Sequence, residues 1–145
     1  MAILLIAHLV STLMLGGLIW FVQIVHYPLF ATVGRDAFVD YERRHVDRTT
    51  WVVAPLMLVE VVTAALAVVV VAPGIARVLA IIGLAALGVI WGSTAMIQVP
   101  CHRRLERGYD DAAARRLVVT NWIRTVSWTI RVPIAIALLR LEMSP

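Results

Sequence analysis

Four apolar stretches separated by short polar segments constrain this chain more than any other feature of its sequence. They cover residues 3–30, 49–72, 75–99 and 117–139. A helix rises about 1.5 Å per residue and the hydrocarbon layer of a bilayer is roughly 30 Å thick, so each stretch is long enough to cross it. Because 61% of the 145 residues are hydrophobic and only 15% are charged, little is left for a soluble domain. We expect one all-α domain over residues 1–145, an integral membrane four-helix bundle.

The polar segment before the second stretch has helical periodicity. The residues that recur at helical spacing in it are Phe38, Tyr41, Glu42, His45 and Thr49. We therefore predict an amphipathic interfacial helix that runs into the second span. Only Ala72-Pro73-Gly74 separates the second stretch from the third, which predicts a tight turn between antiparallel neighbours.

The basic residues are distributed unevenly around the spans. All 13 are arginines, and nine of them lie in the two polar segments, at positions 35, 43, 44, 48, 103, 104, 107, 115 and 116. Only Arg77 and Arg140 flank the opposite ends of the spans. By the positive-inside rule both polar loops are cytoplasmic and both termini external, in a bacterial-type inner membrane. This placement makes the lipid bilayer, and not a nucleic acid, the partner that the charge indicates.

Alternating helix directions bring one end of every span into the same cytoplasmic half. Each span contributes two polar residues on one helical face there: Gln23 and His26, Glu42 and His45, Gln98 and His102, and Asn121 and Arg124. Polar groups in a bilayer face the interior of a bundle, because their exposure to hydrocarbon is costly. We predict a shared pocket with Gln23, Gln98, Asn121 and Trp128 in its wall.

Four of these residues have the chemistry of metal ligands. Glu42 and His45 form a Glu-x-x-His pair, which aims a carboxylate and an imidazole at one point and recurs in metal-binding helical bundles. His26 and His102 are expected at the same membrane level. We predict that His26, Glu42, His45 and His102 hold a transition metal such as iron, copper or zinc. A solvated interfacial Glu and His is the simpler alternative.

Two charged residues are expected deep in the bilayer. Glu60 lies about 18 Å along its helix from Arg48, and Arg131 about 22 Å from Arg116. Because a lone charge is costly at that depth, we predict a buried Glu60–Arg131 ion pair. A packing role and a role in proton transfer or substrate contact both remain open for this pair.

The segment Val99-Pro100-Cys101-His102-Arg103-Arg104-Leu105, followed by Asn121-Trp122-Ile123-Arg124-Thr125, resembles the small anthrone-oxygenase-like membrane proteins over nearly the whole chain. The resemblance implies a four-helix membrane fold and the oxidation of a hydrophobic aromatic substrate by dioxygen, as in the conversion of anthrone to anthraquinone. It also implies that Asn121 and Arg124 line the pocket. His102 stands where Asn is expected in many relatives, which points to a metal-dependent branch.

Three functions follow from these observations. The first is a membrane oxidoreductase or oxygenase for a hydrophobic small molecule, with His26, His45 and Arg124 as catalytic residues. The second is a transport or binding unit for an ion or metabolite, built as a homo-oligomer and gated by Glu60 and Arg131. The third is a haem carrier with two histidines as axial ligands.

Overall fold

The computed structural model describes residues 1–143, and all regular elements in that range are helical. The α-helices are α1 (Ala2–Phe21), α2 (Arg35–Val70), α3 (Ile75–Ser93), α4 (Val99–Leu105) and α5 (Asp111–Met143). Two π-helical turns, Val22–His26 and Thr94–Gln98, and a 3-10 helix, Pro28–Thr32, complete the helical elements. The predicted all-α four-helix bundle is confirmed.

Four continuous helical units are long and apolar enough to cross a membrane: Ala2–Thr32, Arg35–Val70, Ile75–Leu105 and Asp111–Met143. The chain therefore has the architecture of a multi-pass membrane protein. The helices extend into the polar segments that flank the apolar stretches, because a helix forms its own backbone hydrogen bonds in water as well as in lipid. The polar segment from Arg35 onward is continuous with the second span, as the periodicity predicted.

The spans form a closed ring, because α1 and α3 each contact both α2 and α5. The predicted turn between α2 and α3 is present. Its Gly74 has a φ of 110°, a conformation that glycine adopts without strain. We call the end of the bundle with this turn, Ala2 and Met143 the terminal side. The end with segments 33–34 and 106–110 is the loop side.

Asp110 fixes the start of α5 on the loop side. Its Oδ1 accepts the backbone N–H of Ala113 at 2.7 Å, and its Oδ2 accepts Arg104 Nε at 2.8 Å. The N–H of Ala113 and the guanidinium of Arg104 both lower the pKa of this carboxyl. Asp110 therefore caps α5 and ties it to α4.

The surface and the interior have the polarity expected in lipid. Large apolar side chains are exposed along the outside, for example Val69 at 73% and Val119 at 67%. Polar side chains such as Thr12, Glu60 and Asn121 are fully buried. A surface this apolar would be unfavourable in water, so lipid is the solvent that suits the outer faces of the bundle.

One glycine lets α1 and α5 approach closely. A Cβ added to Gly16 would lie 3.3 Å from Val132 Cγ2, whereas one added to Gly17 would meet nothing within 4 Å. Gly16 therefore lies in the helix interface, and the adjacent Gly17 lies outside it.

Candidate functional site

The two π-helical turns position three of the predicted site residues. Val22–His26 carries Gln23 and His26, and Thr94–Gln98 ends at Gln98. In the first turn the N–H of Tyr27 bonds the carbonyl of Val22 at 3.0 Å, five residues back. The wider turn changes the face on which the following side chains lie, and π-turns are frequent at functional sites. The sequence gives no local signal for either turn.

A chain of hydrogen bonds joins three spans on the loop side. His102 Nδ1 lies 2.6 Å from Glu42 Oε1, and the Tyr27 hydroxyl lies 3.1 Å from His102 Nε2. With the proton of His102 on Nδ1, this nitrogen donates to the carboxylate of Glu42, and Nε2 accepts the O–H of Tyr27. We call these residues the Tyr27–His102–Glu42 chain. It has the order of groups that lets an imidazole take a proton from a hydroxyl while a carboxylate stabilises the imidazolium.

The other two predicted imidazoles adjoin this chain. His45 Nδ1 lies 2.8 Å from His26 Nε2 and 3.1 Å from Thr49 Oγ1. The ring centroids of His45 and His102 are 5.4 Å apart. The structure thus brings together all four residues that the sequence grouped: His26, Glu42, His45 and His102.

Sequence reasoning missed Tyr27, although it adjoins His26. A tyrosine at the end of an apolar stretch is typical of an interfacial anchor, which is exposed to the headgroups. Here only 5% of Tyr27 is exposed, and its hydroxyl points into the cluster. A buried tyrosine needs a hydrogen-bond partner, but the sequence alone does not show which residue supplies one.

The nitrogen and oxygen atoms of this cluster that could bind a metal are largely hydrogen-bonded to one another. Both nitrogens of His102 are used, and so is Nδ1 of His45. Glu42 Oε2 is buried without a hydrogen-bond partner among the described residues. In the range 1–143, no three His, Cys, Asp or Glu side chains are grouped so that they could hold one ion. The metal site stays a prediction.

A cavity of about 540 Å³ extends from the cluster towards the middle of the bundle. Its walls are mainly apolar, with Ile19, Val53 and Met57 among them. The polar groups concentrate at its loop-side end and include Tyr27, His45, Gln98, His102 and Arg124. An apolar cavity with a few convergent polar groups is the usual form of a small-molecule site.

Arg124 supplies a buried positive charge to this cavity. It is 8% exposed, and its guanidinium lies 5.5 Å from the ring centroid of Trp128, which also lines the cavity. Its Nε is buried and has no hydrogen-bond partner within residues 1–143. The arrangement suits a ligand that brings an anionic or phenolic oxygen.

Two of the predicted pocket residues do not line the cavity. Asn121 Nδ2 donates to Gln23 Oε1 at 2.9 Å, and Gln23 Nε2 donates to the carbonyl of Val118 at 3.1 Å. These amides join the first span to α5, and neither Gln23 nor Asn121 is among the residues that line the cavity. Gln98 and Trp128 do line the cavity. His26 lies behind His45, in a groove on the outer face with Tyr41 and Arg44.

The predicted Glu60–Arg131 pair is present and fully buried. Glu60 Oε1 accepts Arg131 Nη2 at 3.1 Å and Thr12 Oγ1 at 2.9 Å. Trp128 Nε1 donates to both carboxylate oxygens, and Arg131 Nη1 donates to the carbonyl of Gly83. Arg131 does not line the cavity. The contacts of Arg131 are those of a packing role, and of these two arginines Arg124 is the one that lines the cavity.

His8 lies on the terminal side, apart from the other imidazoles, because it is near the start of the first span. It is buried, and its Nδ1 lies 3.1 Å from Thr63 Oγ1. Thr63 also donates to the backbone carbonyl of Glu60. His8 therefore belongs to the surroundings of the buried ion pair and not to the cavity.

The chain matches no family model, no curated protein and no solved structure with which it was compared. The resemblance to the anthrone-oxygenase-like proteins therefore stays a prediction that rests on short motifs.

Proposed function

We propose that this protein is a membrane oxygenase for a hydrophobic aromatic substrate that carries a phenolic or enolic oxygen. The observation that carries the proposal is the cavity of about 540 Å³, in which apolar walls end at Tyr27, His102 and Arg124. The walls suit fused aromatic rings taken from the bilayer, and the polar end suits the oxygen that such rings carry. The resemblance in sequence supplies the class of reaction.

The Tyr27–His102–Glu42 chain acts as the base in this proposal. The Tyr27 hydroxyl passes its proton to His102 Nε2, and the resulting phenolate oxygen takes a proton from the activated CH₂ group of the substrate. The carboxylate of Glu42 stabilises the imidazolium, and the guanidinium of Arg124 stabilises the substrate oxyanion. The carbanion then reduces dioxygen. One oxygen atom remains on carbon as a carbonyl, and the other leaves as water with the two hydrogens of the CH₂ group.

Turnover of anthrone by the detergent-purified protein tests this function. We expect oxygen uptake and anthraquinone formation in a ratio of one to one, with one atom of isotopically labelled dioxygen in the product. The Arg124→Gln variant should bind and oxidise the substrate poorly, while Arg115→Gln, an exposed arginine outside the cavity, serves as the control. Product formation that is no faster than in protein-free detergent would rule the function out for this substrate class.

We further propose that the loop side faces the cytoplasm of a bacterial-type inner membrane. The excess of arginine at that end supports this orientation. Reporter fusions test it: a fluorescent protein inserted after Gly108 should mature, and a periplasmic phosphatase should be active at the C-terminus. The reverse pattern would overturn the assignment.

The two alternative functions have less support. A gate needs a pair that opens, but Glu60 and Arg131 also bond Thr12, Trp128 and the carbonyl of Gly83. Two axial haem ligands need a slot for the porphyrin between them. The imidazoles of His26 and His45 instead contact each other, with centroids 4.5 Å apart.

A further inference from the structure

A groove of about 420 Å³ lies next to the cavity on the loop side. It is lined by Pro100, Arg103, Arg104 and Arg107, and we call it the arginine groove. Arg103 lines both the groove and the cavity, so the two spaces adjoin at this residue.

The charge of the groove is incompletely neutralised. Arg104 pairs with Asp110, with Nη2 2.7 Å from Oδ2. Arg103 and Arg107 form no ion pair with any carboxylate in the part of the chain that the structure describes. The only carboxylate that lines the adjoining end of the cavity is Glu106. The groove therefore offers two guanidinium groups to an anion, and guanidinium binds carboxylate and phosphate in a bidentate manner.

The cavity also opens sideways towards the lipid. Leu58 of α2 and Trp91 of α3 line the cavity, although they are 56% and 39% exposed. Thr50 and Val99 line it nearer the loop side and are exposed as well. An apolar molecule can thus enter from the bilayer between α2 and the third span without crossing water.

We infer that the cavity and the arginine groove together bind an amphiphilic anion from the loop-side leaflet. Its apolar body lies in the cavity, and its carboxylate or phosphate group lies between Arg103 and Arg107. This inference rests on the proposed function only in that it names the substrate class for the same cavity. A neutral polycyclic compound fills the cavity alone and leaves the groove without an anion.

Quenching of Trp128 fluorescence tests this inference without any turnover. The probe is stearic acid brominated in its chain, compared with its methyl ester, in nanodiscs of zwitterionic lipid. The other four tryptophans, Trp20, Trp51, Trp91 and Trp122, are replaced by Phe. Because Trp128 is 1% exposed and lines the cavity, bromine reaches it only from within the cavity. We expect half-maximal quenching by the acid at a mole fraction about fivefold lower than by the ester.

Matched arginine variants separate the groove from general surface charge. Arg103→Gln combined with Arg107→Gln should remove the advantage of the acid. Arg115→Gln combined with Arg116→Gln should retain it, since these exposed residues line neither space. Equal quenching by acid and ester in the parent protein would overturn the inference. It would also be overturned if both double variants lost the preference for the acid to the same extent. If the single-tryptophan protein does not fold, native mass spectrometry of the wild-type chain should find more bound acid than ester.

The failure of this inference is distinguishable from the failure of the proposed function. Selective binding of the acid without any oxygenase activity would support the site for an amphiphilic anion and contradict the proposed oxygenase function. Oxidation of neutral anthrone, with equal binding of the acid and its ester, would support the oxygenase function and contradict the site for an amphiphilic anion.

Discussion

Glu42 and His102 are 60 positions apart in the sequence, yet Glu42 Oε1 lies 2.6 Å from His102 Nδ1. The two residues belong to α2 and α4, so the contact exists only when the second and third spans pack together. It orients the imidazole so that Nε2 faces the hydroxyl of Tyr27. The proton-transfer chemistry proposed for the cavity depends on this contact.

The Glu42→Gln substitution should slow oxidation strongly while preserving the fold. The amide has the shape of the carboxylate but does not stabilise an imidazolium, so we expect kcat to fall by about 100-fold or more. Steady-state oxygen uptake measures this, with Asp47→Asn as a control for loss of an exposed loop-side carboxylate. A wild-type kcat in the Glu42→Gln variant would show that the Tyr27–His102–Glu42 chain is not the base.

The Tyr27→Phe substitution separates catalysis from packing. The ring stays in the aromatic cluster with Phe30 and Phe38, but the hydroxyl that donates to His102 is lost. We expect kcat to fall while KM and the thermal unfolding temperature change little. A large rise in KM with unchanged kcat would assign Tyr27 to substrate binding instead.

Breaking the buried ion pair should destabilise the protein. Glu60→Gln leaves Arg131 buried without its counter-charge. Arg131→Met likewise leaves Glu60 buried without its counter-charge. Each single variant should lose about 3–5 kcal/mol of unfolding free energy. Unfolding in mixed detergent measures this loss, with Arg115→Gln as an exposed control. The double variant should recover part of the loss, and additive losses would mean that the two charges do not act as a pair.

Adjacent glycines in α1 provide a matched test of helix packing. Gly16→Val places its side chain against Val132, whereas Gly17→Val meets open space. Both changes have the same effect on helix propensity, so their difference isolates the contact with α5. We expect Gly16→Val to be less stable than Gly17→Val by about 1–3 kcal/mol. Val132→Ala should restore much of the stability of Gly16→Val but should not improve Gly17→Val.

Chelation tests whether the imidazole cluster works through a metal. Because His102 uses both nitrogens in hydrogen bonds, we expect dialysis against a strong chelator to leave the oxygenase activity unchanged. Elemental analysis of iron, copper and zinc accompanies the assay. About one equivalent of metal per chain, lost together with activity in His45→Ala but retained in His8→Ala, would replace the acid–base mechanism by the predicted metal centre.

The sequence by itself determined the four spans and their order. Apolar stretches of spanning length and helical periodicity are local properties, so the four spans and the continuous helix from Arg35 could be predicted. The depths of Glu60 and Arg131 follow from counting residues along straight helices. Their pairing could be predicted because a buried charge has few alternatives to an opposite charge.

Tertiary structure decided which polar residues form the site. The π-turn at Val22–His26 and the pairing of Gln23 with Asn121 depend on how the first span packs against α5. That packing assigns Gln23 to a helix interface and aims Tyr27 at His102. Helical spacing shows only that two residues share a face, whereas the partner that satisfies each buried polar atom is set by contacts between spans distant in sequence. For this reason the sequence could identify the imidazoles, but only the packed bundle could place the cavity beside them.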